Sequence, residues 1–323
     1  MRAVQVVARG QAEFIDMPKP EIKPGHVLIK TERLSLCGSD IHMLHYSADS
    51  SYPFPPGTTG HEMVGTVVAI DAPGAGISVG DKVLGLAPGH KAMAEYFLAP
   101  IEHVLLLPNN LPLEQLLQAQ QLGTVIYGSQ RISSVTCKNV VIIGQGSAGL
   151  WFNFHLRRIG AVRVIALDLD ANRLKLSKQF GATQTVLNSQ VDAVSAVQEI
   201  LGGKLADVVI EAAGEISSIH LAIDLVRKDG EILYFGVPRA QTFPYNFSKL
   251  FYKTCYASTV VGASIEPGQI STRIAIDLIA SGAIDVRPLI THRFPFDGVL
   301  DAYEMHRTRA DGAVKIVVEM PSL

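Results

Sequence analysis

The sequence predicts an α/β protein in which a β-rich N-terminal part precedes a doubly wound parallel sheet. Three observations carry this expectation. An apolar run long enough for a buried strand, VVII at 140–143, leads straight into Gly144-Gln145-Gly146-Ser147-Ala148-Gly149 and then into LWFNFHLRRIG, which has the length and apolar spacing of a helix. From there to about residue 238, strand-like and helix-like stretches alternate, a pattern that builds a parallel sheet covered on both faces. Residues 1 to about 113 instead show short β-like runs broken by Pro and Gly clusters such as PKPEIKPG and PGAGISVG.

In chain order, RAVQVVA (2–8), HVLIKTERLSL (26–36), MVGTVVAID (63–71) and DKVLGLA (81–87) predict strands, and β units of this kind tend to close into barrels. From Leu113 the texture changes, and LEQLLQAQQLGTVIYGSQRI reads as helical. VVIIG, VRVIALD (162–168), TVLN (185–188), DVVIEAAG (207–214) and EILYFGVP (231–238) follow as strands, with helices at 147–159, 171–180, 191–201 and 216–227 between them. TVVGAS (259–264) predicts one more strand, a helix is expected near 269–281, and AVKIVVE (313–319) returns to β texture. The chain shows no internal repeat and no low-complexity segment.

The glycine spacing has a physical reading. Gly144 permits a tight turn, Gly146 lets backbone approach a pyrophosphate, and Gly149 allows close helix-to-strand packing, with Ser147 and Ala148 opening the helix whose N–H groups face the anion. About twenty residues on, a second apolar strand ends in Asp168, where a dinucleotide fold places the acid that holds the adenosine ribose.

Composition limits the partners. At 323 residues the chain exceeds one ordinary domain, so two domains of about 100–200 residues are expected. Hydrophobic residues make up 48%, charged residues 18%, and the formal net charge is −2, which gives no electrostatic reason to expect nucleic acid or membrane. No window approaches about 18 uninterrupted apolar residues, and MRAVQVVARGQAEF lacks the apolar run and cleavage site of a signal peptide, so a cytoplasmic protein is expected. The three cysteines, Cys37, Cys137 and Cys255, are too few and too far apart for a disulfide framework.

A second constellation lies in the β-rich part: Cys37-Gly38-Ser39-Asp40-Ile41-His42, then Gly60-His61-Glu62 beyond a Pro-rich loop. A thiolate and an imidazole are good zinc ligands, and three protein ligands with one open position make a catalytic site. Lewis-acid zinc stabilises an alkoxide, which hydride transfer from an alcohol requires.

Together CGSDIH, PPGTTGHEMVGTV, GDKV, GQGSAG, Asp168, DVVIEAAG, VRKDGEILYFGVP and the terminal VKIVVE resemble, in order and over nearly the whole chain, the zinc-dependent medium-chain alcohol and polyol dehydrogenase family. The resemblance implies a GroES-like catalytic domain from residues 1–120 and 266–323, with a Rossmann NAD-binding domain, 121–265, inserted between. On that pattern Cys37 and His61 ligate zinc, and Glu62 is a carboxylate able to touch the metal or its water. Asp40 orients the zinc-bound histidine, Ser39 takes the substrate proton, and His42 is the outer end of that relay.

Two departures from the family matter. Between GDKVLGLAPGHK and AMAEYFLAP no cysteine occurs, so one catalytic zinc and no structural zinc are expected. At the third zinc position, where the family presents Cys, Glu or Asp, this chain has Ala119-Gln120-Gln121-Leu122-Gly123, with Gln120 the best match. An amide oxygen brings no charge, a deficit that Glu62 can make good. For the cofactor, Asp168 accepts from ribose hydroxyls and repels a 2′-phosphate, which favours NAD over NADP, while Arg173 reaches the same ribose. Ala212 to Gly214, Gly236, Val237 and Val261 are the remaining expected contacts. The implied reaction oxidises a secondary alcohol, polyol or cyclitol, in a homodimer or homotetramer. Two other readings stay open: a metal-free reductase on the same scaffold, and a nucleotide-binding protein without turnover.

Overall fold

A computed structural model describes every residue except 87, 88, 90, 322 and 323; Ala87, the last residue of the expected strand 81–87, thus lies outside the described residues. The N-terminal stretch carries β1 (Arg2–Ala8), β2 (Gln11–Asp16), β3 (His26–Ser35), α1 (Gly38–His45), β4 (Glu62–Asp71), β5 (Lys82–Leu86), β6 (Tyr96–Pro100), β7 (Val104–Leu106), α2 (Leu113–Leu116) and α3 (Ala119–Ser129). The middle alternates β8 (Asn139–Ile143), α4 (Ser147–Arg158), β9 (Arg163–Asp168), α5 (Ala171–Gln179), β10 (Gln184–Leu187), α6 (Ala193–Ile200), β11 (Ala206–Glu211), α7 (Ile216–Leu225), β12 (Val226–Tyr234), α8 (Phe247–Tyr252) and β13 (Tyr256–Thr259). The chain closes with α9 (Ile270–Ala280), β14 (Ile290–Pro295), α10 (Val299–Thr308) and β15 (Lys315–Glu319).

The chain divides into two compact units, one made of Met1–Thr124 with Ala263–Leu323, the other of Val125–Gly262. In the first, seven strands form a sheet in the order β14-β15-β3-β4-β5-β7, with β6 added on β3, while β1 and β2 make a separate hairpin. Its core gathers Val27, Ile29, Leu34, Met63, Phe97, Tyr303 and Ile316 from both ends of the chain. Because β15 pairs antiparallel with β3, Val317 opposite Ser35, the last strand is a structural neighbour of one near the start.

In the second unit six parallel strands run in the order β10-β9-β8-β11-β12-β13. Val140, Val141, Ile142 and Ile143 of β8 are all buried, which requires cover on both faces because successive side chains point to opposite sides. Strand order reverses at β8, and the crevice outside the carboxyl ends beside such a switch point is where α/β sheets bind ligands.

Several elements differ from the sequence reading. The strand expected at 259–264 is β13, Tyr256–Thr259, because its ladder sets Tyr256 to Thr259 opposite Glu231 to Tyr234, and β12 has ended beyond that. Ala263–Ile265 instead form a 3-10 turn. The helix expected over 216–227 stops at Leu225, since Val226 already pairs with Ala206. The helical stretch from Leu113 is two helices, α2 and α3. Helices α1, α8 and α10, together with β2, β6, β7 and β14, are additional to those expected.

Helix α4 carries a buried titratable group whose cost is testable. Burial, with a smaller push from the Arg158 charge, lowers the His155 imidazole to about 4. The folded state therefore refuses a proton that the unfolded chain accepts near 6.5, so this stability is complete above that pH and is lost as pH falls towards 4. By pH 4.5 the loss is of order 3 kcal/mol. His155→Leu should remove this part of the acid destabilisation, seen as a smaller drop in urea-unfolding free energy between pH 7 and 4.5 than in the native protein. Equal drops would mean that the imidazole is protonated in place.

Candidate active site

Strands β3 and β4 run antiparallel with Ser35 opposite Glu62, so the residues at the end of one and the start of the other are brought face to face. Cys37 Sγ, a ring nitrogen of His61 and a carboxylate oxygen of Glu62 consequently lie within 4.8 Å of one another, the one such cluster of three His, Cys, Asp or Glu among the described residues. Asp40, fully buried, organises it. From the first turn of α1 its Oδ2 accepts the Cys37 N–H at 2.8 Å, half of a capping box, and its Oδ1 accepts the Gly60 N–H at 3.0 Å. The same Oδ1 lies 3.5 Å from His61 Nδ1. Burial pushes the His61 imidazole down, but Asp40 and then Cys37 push it up by more, and it ends well above its ordinary value.

Glu62 is held asymmetrically. Its Oε2 accepts from Ser35 Oγ and is paired with Lys315 Nζ at 2.5 Å, with all three side chains buried. Its Oε1, 3.9 Å from His61 Nε2, is buried and has no hydrogen-bond partner. An unpartnered carboxylate oxygen costs free energy unless a cation or proton meets it, and thiolate, imidazole and carboxylate are the donor types of a catalytic zinc. The residues therefore fit the metal.

The third position resolves differently from the expectation. The amide that reaches the cluster is that of Gln121, whose Nε2 lies 3.7 Å from Cys37 Sγ, and its Oε1 is buried without a partner. Gln120, the expected residue, is buried one position earlier on α3, and successive helical residues point about 100° apart. Ser39 and His42 are both half-buried and lie three residues apart on α1, hence on one face.

In the second unit the glycine turn follows β8. Gly144 has φ +90°, and a Cβ there would stand 2.9 Å from Ala213 Cβ; at Gly149 it would stand 1.9 Å from the Gly144 carbonyl oxygen, so α4 is drawn onto the turn. A Cβ at Gly146, the N-cap of α4, would meet only Arg173 Nη1, at 3.9 Å, so this side of the turn is uncrowded. Ser147 is buried and Ala148 half-buried in the first turn. Asp168 is nearly buried; its Oδ2 accepts the Gln145 N–H at 2.6 Å and its Oδ1 the Asp170 N–H at 2.9 Å, so the carboxylate is fixed in direction. Ala212 and Gly214 follow β11, Gly236 and Val237 follow β12, and Val261 is fully exposed beyond β13.

Residues 23–109 match the family described as alcohol dehydrogenase GroES-like domain, and residues 149–281 the one described as zinc-binding dehydrogenase. This chain belongs to the zinc-dependent medium-chain alcohol and polyol dehydrogenase family. The family uses zinc and an NAD(P) cofactor. The dehydrogenase is 29% identical to L-threonine 3-dehydrogenase of Aeromonas hydrophila subsp. hydrophila, over 93% of this chain and 94% of that one. It is 28% identical to D-arabitol-phosphate dehydrogenase of Enterococcus avium, over 99% and 97%. A Sinorhizobium meliloti 1021 protein described as a zinc-binding dehydrogenase and solved with NADP superposes with a TM-score of 0.84 at 25% identity, over 98% of each chain. No helix among the described residues of the dehydrogenase is long and apolar enough to cross a membrane.

Three site residues of the dehydrogenase escape the sequence reading: Lys315, Ser35 and Gln121. Lys315 left one signal, a single charge inside the otherwise apolar AVKIVVE. Nothing in the sequence points from it to Glu62, because the contact depends on β15 lying against β3 and β3 against β4.

Proposed function

We propose that this dehydrogenase oxidises a secondary alcohol, polyol or cyclitol to the ketone with NAD, using one catalytic zinc on Cys37, His61 and Glu62 and no structural zinc. The observation that carries the reading is the convergence of those three side chains with a buried, unpartnered Glu62 oxygen among them. When bound there, zinc acts as a Lewis acid toward a hydroxyl oxygen while the nicotinamide accepts hydride. Asp40 holds the Nδ1 edge of His61, fixing the ring so that the opposite nitrogen serves as ligand. Lys315 anchors the Oε2 side of Glu62 through the buried ion pair, leaving Oε1 turned toward His61. Gln121 replaces the charged third ligand of the family, so Glu62 supplies the anionic charge that an amide lacks. Ser39 takes the hydroxyl proton and His42 passes it outward along one face of α1.

The relatives are named as dehydrogenases of threonine and of arabitol phosphate, both small hydroxyl-bearing molecules, which supports an alcohol or polyol as substrate class. Homodimer or homotetramer assembly belongs to the same reading and rests on the resemblance, and a cytoplasmic setting follows from the expectation drawn from the N-terminal sequence. Zinc analysis of the purified protein, together with NADH formation over a panel of polyols and hydroxy acids, tests it. Zinc at one equivalent per chain and alcohol-dependent NADH formation are expected. Full activity in protein that binds no zinc would make it a metal-free reductase, and failure of every alcohol would leave a nucleotide-binding protein without turnover.

Cofactor choice follows from Asp168. Its carboxylate accepts from the ribose hydroxyls and repels a 2′-phosphate, so Asp168→Ser should weaken NADH binding about tenfold and improve NADPH relative to it, with Arg173 nearby to meet the phosphate. Direct titration of both cofactors reads this. Preference of the native protein for NADPH contradicts the assignment.

A further inference from the structure

Glu211, the last residue of β11, is a fully buried carboxyl that no step above uses. Its Oε1 collects three donors: the Ala213 N–H at 2.8 Å, the Gly214 N–H at 2.8 Å and the Ser218 hydroxyl at 2.6 Å. Its Oε2 is buried with no hydrogen-bond partner. Its backbone carbonyl accepts the Phe235 and Gly236 N–H groups, at 2.9 and 3.0 Å, so the one residue ties the turn after β11 to the turn after β12.

Those two turns are pressed together. A Cβ at Gly214, where φ is +74°, would stand 2.2 Å from the Val237 carbonyl oxygen; a Cβ at Gly236 would stand 2.3 Å from the Gly214 nitrogen and 2.7 Å from Glu211 Oε2. Ala213 meets the third turn at Gly144. The backbone at the carboxyl ends of β8, β11 and β12 is thus a single packed surface, and Glu211 is the side chain beneath it. Burial pushes the Glu211 carboxyl above its ordinary range, more than Ser218 and the Gly214 and Ala213 amides draw it down, with Glu215 adding to the push. A group kept in a place this costly needs a use, and a hydrophobic residue of similar size would fill the space without the orphaned oxygen.

We infer that Glu211 is a positioning residue for the dinucleotide: its acceptor oxygen fixes the backbone of Ala212–Gly214 in the conformation that receives the cofactor. The inference rests on the reading of this unit as the cofactor-binding one. Ordering the turn before binding removes an entropy cost that the ligand otherwise bears. Gln at this position keeps an acceptor for the same three donors, whereas Leu keeps the volume and removes the acceptor.

Isothermal titration with NADH, on the purified full-length protein, reads the difference directly. Glu211→Gln should bind NADH within about threefold of native, and Glu211→Leu should lose tenfold or more while its far-UV circular dichroism stays native. Native-like affinity in the Leu variant overturns the inference, as does an equal loss in both variants, since then the acceptor is not what matters. Should Glu211→Leu fail to fold, Ser218→Ala decides: it strips one donor from the same oxygen, and a threefold or greater weakening supports the role while unchanged affinity reduces Glu211 to a folding element. Native protein that binds neither NADH nor NADPH sinks the cofactor reading itself, a result separate from any of these.

Discussion

Lys315→Met lowers the unfolding free energy of metal-free protein by about 3–5 kcal/mol, because it leaves the buried Glu62 carboxylate without its counter-charge. The ammonium lies 2.5 Å from Glu62 Oε2, both side chains are excluded from water, and Ser35 alone cannot replace a full charge. Two controls separate this from lost packing. The double variant Lys315→Met with Glu62→Gln should recover most of the stability, since replacing both partners of a buried pair is far less costly than breaking it. Added zinc should stabilise Lys315→Met more than native protein, because a cation beside Oε1 meets the charge that the ammonium no longer meets. Urea unfolding with chelator and with zinc measures all of these, and an unperturbed Lys315→Met in chelator would show that the fold does not depend on the Lys315–Glu62 pair.

Asp40→Ala should be nearly as damaging and should strike the metal as well. It deprives the Cys37 and Gly60 amides of their acceptor and His61 of the group that holds its ring, all around a side chain with no exposure. The buried Gly60 donor left unpaired costs about 1–3 kcal/mol, and the part-buried Cys37 donor less, since water can reach it. Loss of a partner that orients a ligating imidazole typically weakens metal binding about 10–100-fold. Asp40→Asn, which keeps one acceptor but not the charge, should fall between. Chelator competition for zinc and thermal unfolding read the two effects independently. Native zinc retention in Asp40→Ala would place Asp40 outside the metal's support and leave it as the cap of α1.

Much of this molecule is legible along one dimension. The alternation after residue 139 and the glycine spacing are local signals, and a parallel sheet leaves few ways to satisfy them. The strand expected at 259–264 lies earlier in the chain because an edge strand takes its register from its neighbour's ladder, which pairs Tyr256–Thr259 with Glu231–Tyr234. Helix α1 was legible after the fact, from an aspartate three residues beyond Cys37 that returns to cap it. The family match singles out Gln120, but only the phase of α3 about its axis decides which neighbouring amide meets Cys37, and that phase is set by what the helix packs against.

Pattern along the chain is enough for the α/β architecture, the residue types Cys, His and Glu at the ends of two strands, the glycine turn and the acid at the end of β9. Each follows from local pattern and from chemistry that only a few side chains can perform. Which amide meets Cys37, that Lys315 is the counter-ion of Glu62 across β15, β3 and β4, and that Glu211 gathers the turn beside Gly214 were decided by tertiary structure alone. Buried charge and orphaned polar atoms are properties of an environment, and the environment of Glu62 is built in part by a strand 253 positions away in the chain, where 315 is paired with 62.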